Sequence, residues 1–101
     1  MDTITFVRLL RTSGSERYLL RQGQQVIAAL ELHYLPKGEV DGTLIVLEDA
    51  HIPEDRIPAL LMQIDEQLLP DVAMKDQNLF FTVVIGKVLG GFEPHAGTRE
   101  E

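Results

Sequence analysis

The chain has 101 residues, 45% of them hydrophobic, with no cysteine and a formal net charge of −7. That length suits one domain with one core, and the missing cysteines exclude disulfides, thiolate metal sites and cysteine nucleophiles. Residues 1–37 carry a net +2 and residues 38–101 a net −9, a balance that repels phosphate backbones and argues against nucleic acid as a partner.

Five segments read as strands. Thr3–Arg11 is rich in β-branched and apolar residues and ends at the loop signal Thr12-Ser13-Gly14-Ser15. Glu16–Gln22 follows and turns at Gly23-Gln24. Gln25–Leu35 is the third strand, with Val26, Ala28, Leu30, Leu32 and Tyr34 expected on one face. Gly42–Glu48 is the fourth, after a polar connection opened by Pro36-Lys37-Gly38, and Asn78–Ile85 the fifth. Connections short enough for hairpins predict an antiparallel meander of the first four strands. The arginines of the first two strands are expected to be solvated strand-face residues.

One helix is predicted between the fourth and fifth strands. Ile57, Leu60, Leu61, Ile64 and Leu68 form a single apolar stripe, while Gln63, Glu66 and Gln67 lie off it and should face water. Proline is tolerated only in a helix's first turn, so Pro58 places the start at about Asp55, whose carboxylate can cap it. Pro70 ends the helix at about Leu69. A strand–helix–strand connection makes the fourth and fifth strands parallel neighbours with a right-handed crossover. Met62 and Met74 read as core filler.

The fold class is therefore α+β: an antiparallel meander followed by a βαβ unit, with five strands and one main helix. Residues 1–95 are expected to form one domain, and residues 96–101 a flexible tail. No apolar run approaches the roughly 18 residues of a bilayer span, and the first ten residues do not read as a signal peptide. A cytoplasmic protein with no membrane partner is expected.

The strands around the helix contain nearly continuous apolar runs, Leu44–Leu47 and Leu79–Ile85. Such strands want cover on both faces, and one helix covers one. The second face then needs a partner, most simply a second copy in a homodimer. The rival is a coiled sheet that covers itself with Phe6, Leu9 and Phe92.

The candidate chemistry lies in the acidic turn before the helix. Glu48, Asp49, His51, Glu54 and Asp55 are close in sequence, but a strand-to-helix turn delivers about two ligands where zinc wants three or four, so no metal is expected. His33 and His95 are remote. That junction contains no glycine, which excludes a P-loop or dinucleotide fingerprint. Ser13 and Ser15 have no histidine nearby in sequence, so a nucleophilic triad is not expected.

Three stretches resemble the GNAT-type N-acetyltransferases: "GQQVIAALELHYL", "LIVLEDAHIPEDR" running into "IPALLMQIDEQL", and "VLGGFEPH". Together with the order of elements they span roughly Gln22 to His95. The resemblance implies a GNAT-like core, with Glu48 as general base at the end of the fourth strand. It also implies acetyl-CoA as cofactor, its phosphates held by backbone near Arg56, Ile57 and Ala59 at the helix N-terminus. A cleft between the fourth and fifth strands is the feature to look for. The chain departs from the pattern where Arg56 passes straight to Ile57-Pro58 without the family's glycines, and where Ile85, Gly86 and Lys87 stand in place of its tyrosine acid. The leading expectation is accordingly a non-enzymatic association module without a cofactor, acting as a homodimer or with a protein partner. A minimal acyl-CoA-binding protein or N-acetyltransferase is the alternative.

Overall fold

A computed structural model describes residues 3–69 and 79–87. Five strands, β1 (Ile4–Arg11), β2 (Ser15–Gln22), β3 (Gln25–Tyr34), β4 (Val40–Leu47) and β5 (Leu79–Gly86), form one sheet in sequence order. β1 to β4 pair antiparallel, and β5 pairs with β4 in parallel. Among the described residues the molecule is an α+β domain with a mixed sheet and one α-helix, as the strand signals and short connections predict. Gly23 has φ 63 at the first position of the two-residue β2–β3 turn, where a side chain would be strained. Residues 70–78, 88–95 and the expected tail at 96–101 lie outside the described residues, as do Met74, Phe92 and His95.

The helix α1 spans Ile57–Leu68. It starts two residues later than Pro58 suggested, because Glu54–Arg56 forms a separate 3-10 turn closed by Arg56 N–H donating to the Pro53 carbonyl at 3.0 Å. Asp55 does not cap α1. A capping residue needs extended backbone, whereas the chain is already wound at Asp55 and at Arg56 (φ −89, ψ −14). Pro58 falls in the first turn, where its missing N–H costs no helical bond.

The apolar stripe of α1 faces the sheet. Leu60 and Ile64 are fully enclosed, and Ile57, Leu61 and Leu68 pack at the margin of the same core. The sheet contributes Ile4, Leu20, Ala28, Leu30, Leu32, Val40, Leu44 and Val46. Met62 is not core filler: it is 57% exposed, since it lies away from the stripe. Gln63, expected in water, is half-buried on the stripe's border.

Two irregularities decide which side chains share a face. In β1 the register shifts between Arg8 and Leu10, leaving Leu9 as an extra residue. In β3 it shifts opposite Leu20 and Arg21, which pair with Ala28 and Val26 and leave Ile27 over. Both are β-bulges, and each reverses the alternation beyond it. Hence Ile27 joins Ala28 in the core at 2% exposure, and Val26, expected beside Ala28, moves to the other face. The bulge in β1 puts Arg8 and Arg11 on one face although they are three residues apart.

The described residues cover β4 and β5 on the helix side and not on the other. β4 alternates buried with half-buried positions, and β5 alternates half-buried with exposed ones as far as Val84, after which Ile85 is exposed as well. Nor do Phe6 and Leu9 close the second face. Phe6 packs against the helix-side core, and Leu9 is exposed at its bulge.

Candidate functional site

Three places hold features beyond packing. The first is a cavity of about 200 Å³ at the entry to α1, lined by Ile4, Gln22, Ile27, Ala50, His51, Ile52, Pro53, Arg56 and Leu60. Its walls come from one end of β1, β2 and β3, from the loop after β4 and from the first turns of α1. Loop residue His51 has a left-handed backbone (φ 52) and donates its N–H to the Glu48 carbonyl at 3.1 Å. Gln25 ties that loop to the β2–β3 hairpin, its Nε2 donating to the Asp49 carbonyl at 3.3 Å.

The candidate site residues are distributed unevenly around this entry. Arg56 lines the cavity. Ile57 lies on the other side of the helix start, in a shallower groove with Glu54, Pro58, Val83 and Ile85. Ala59 is exposed and lines neither depression. Glu48 begins a 3-10 turn after β4, exposed to water and also outside both. β4 and β5 stay paired from Val40 opposite Leu79 to Leu47 opposite Gly86, so no cleft opens between them along those residues. His33 is exposed, with Nε2 3.5 Å from Glu31. Among the described residues no three potential metal ligands come together.

The second place went unread in the sequence. Glu16, on β2, points into the helix-side face and is only 5% exposed. One carboxylate oxygen, Oε1, accepts a short hydrogen bond from the Tyr18 hydroxyl and has Arg8 Nη1 3.7 Å away. Oε2 accepts from the Tyr34 hydroxyl at 2.7 Å and from Arg11 Nη1 at 2.8 Å. Burial alone would raise the Glu16 pKa. The two phenolic hydrogen bonds and the Arg11 and Arg8 charges outweigh it and hold the carboxyl below its ordinary range. Burial and the neighbouring carboxylate push both phenols up. Both oxygens of the carboxylate are thus engaged, and both hydroxyls are committed to it. The cluster ties β1, β2 and β3 together and leaves neither tyrosine free as a general acid. The signal was present in "ERYLL": Glu16, Tyr18 and Leu20 alternate onto one face, so a carboxylate on Leu20's face was bound for the core.

The third place is the face of the sheet turned away from α1. The paired registers align Val7, Leu19, Ala29, Ile45 and Val84 in one row across all five strands. Phe80, on the same face of β5, is 66% exposed. Beside the row, Arg17 Nη2 pairs with Glu31 at 3.0 Å. No family model, curated protein or solved structure matches the chain.

Proposed function

We propose that the chain is a cytoplasmic, non-enzymatic association module that pairs with a second copy of itself through the open face of its sheet. The apolar row from Val7 to Val84 carries this reading. Five strands at about 4.8 Å spacing and eight residues at about 3.3 Å rise give a face of roughly 600 Å² in projection. That approaches the roughly 800 Å² per partner of a stable interface. Charge favours a second copy as the occupant. Arg17 and Arg21 on this face balance Glu31 and Asp41, so it is near neutral in a protein of net charge −7, and a copy approaching it meets little repulsion. Light scattering at micromolar concentration tests the reading. Twice the 11.3 kDa chain mass is expected for the parent, and the single-chain mass for Ile45→Arg with an unchanged circular dichroism spectrum. A parent mass of one chain overturns it.

A second reading draws on the parallel β4–β5 pair joined through α1 and on Arg56 at the cavity beside the helix start. In that reading the core is GNAT-like and binds acetyl-CoA, with Glu48 as base and Arg56, Ile57 and Ala59 near the phosphates. The unbroken β4–β5 pairing and Pro58, which offers no N–H in the helix's first turn, weigh against it. Thermal shift separates the readings, since ligand at 100 times its Kd stabilises by about 2.7 kcal/mol. No shift at millimolar acetyl-CoA ends the enzyme reading.

A further inference from the structure

The cavity at the entry to α1 is on the opposite side of the helix start from Ile57, Pro58, Val83 and Ile85 and is not part of the open sheet face. Ile4, Ile27, Ile52 and Leu60 give it apolar walls, with Ile4, Ile27 and Leu60 almost completely excluded from water. Three residues with polar side chains join them: Gln22, His51 and Arg56. An apolar chamber with a few convergent polar groups is the usual form of a small-molecule site. A dry cavity of about 150 Å³ accepts benzene, so about 200 Å³ accepts one ring or a branched chain of similar bulk, with a small polar group at the mouth.

The lining chooses the polar group. Among the described residues Arg56 is the one fixed charge lining it and is positive, while the acids nearest to it in sequence, Glu48, Asp49, Glu54 and Asp55, are not among the lining residues. A cation finds no counter-charge among these lining residues. A carboxylate finds a guanidinium, which offers paired N–H donors in the geometry a carboxylate accepts. Gln22 adds an amide N–H donor. We propose that this cavity binds a small apolar carboxylate, its hydrocarbon against Ile4, Ile27, Ile52 and Leu60 and its carboxylate on Arg56.

Methyl-resolved NMR of the full chain, titrated with benzoate or the neutral isostere benzamide at constant ionic strength, tests the assignment. Saturable shifts confined to the methyl groups of Ile4, Ile27, Ile52 and Leu60 are expected, with benzoate about tenfold tighter than benzamide, because hydrogen bonds to charged groups are the stronger ones. Arg56 is exposed, so Arg56→Gln should fold normally and bring benzoate down to the affinity of benzamide. Ala50→Leu, which adds bulk at a half-buried wall position, should weaken both ligands while the distant methyl resonances of Leu30 and Leu32 stay in place. Absence of saturable shifts at these four residues overturns the proposal. Equal binding of the two ligands to the parent, or a benzoate preference that survives Arg56→Gln, overturns the assignment of carboxylate as the ligand class.

Discussion

Replacing Glu16 with Gln removes one charge from the core and changes little in shape. The amide can still accept through its oxygen, but its nitrogen only donates, and no charge remains to strengthen the bonds from Tyr18 and Tyr34. Hydrogen bonds to charged groups contribute about 1.5–3 kcal/mol, against about 1 kcal/mol for neutral ones. Two weakened phenolic bonds therefore cost about 1–4 kcal/mol together. Arg8 and Arg11 are more than half exposed, so they rehydrate on losing their partner and add less than about 1 kcal/mol. A net loss of about 2–3 kcal/mol is expected, lowering Tm by roughly 8–24 °C in a domain of this size. Urea unfolding at pH 7 measures it. A variant within about 0.5 kcal/mol of the parent would refute the account of the cluster.

The pH dependence gives a second, independent reading of the same substitution. The Glu16 carboxyl has a folded-state pKa below its ordinary value of 4.5. A depressed pKa contributes stability that is fully present above the unfolded value and is lost as pH falls through the folded one. The gap between parent and Glu16→Gln should therefore stay constant from about pH 5.5 to 8 and close on acidification below about 4.5. The phenols have the opposite sign. Their folded pKa values are raised above 10, so their contribution holds below pH 10 and fades as pH climbs past it toward the raised values. A stability gap that widens in acid would show that the carboxyl is not held ionised.

Two further substitutions probe the sheet and its helix. Ile64 is completely enclosed, and Ile64→Asp buries an unpaired carboxylate there, so the variant should show no cooperative melting by circular dichroism. A Cβ on Gly42 would come within 2.5 Å of the Phe81 ring and 3.3 Å of Leu32 Cδ2, so Gly42→Ala should destabilise by about 1–3 kcal/mol in urea unfolding as the ring is forced aside.

What was legible in the sequence follows from the range of the forces involved. The meander was readable because its connections are short. The stripe from Ile57 to Leu68 was readable because helical periodicity repeats within one segment. Boundaries were less so: Pro58 limits how far upstream α1 can begin, yet nothing in "PEDR" announces that Glu54–Arg56 winds separately. The continuous apolar runs in β4 and β5 suggested burial on both faces, but the described residues cover one. The Glu16 cluster was half legible. Its carboxylate and Tyr18 alternate with Leu20, whereas the convergence of Arg8, Arg11 and Tyr34 depends on register.

The two bulges explain why register matters so much here. In a regular β1, Arg8 and Arg11 would point to opposite faces, and Glu16 would be buried with at most one of them. The extra residue at Leu9 turns the three-residue separation into a shared face and makes burial of the carboxylate tolerable. In a regular β3, Ile27 would face away from α1 and Val26 toward it. The extra residue at Ile27 instead delivers a large apolar side chain to the wall of the cavity beside Arg56, at the other end of β2 from Glu16. Each end of the helix-side face thus combines charged groups with apolar surroundings through one inserted residue. Between the two bulges the pairing is regular, and that stretch is what aligns Val7, Leu19, Ala29, Ile45 and Val84 into one apolar row.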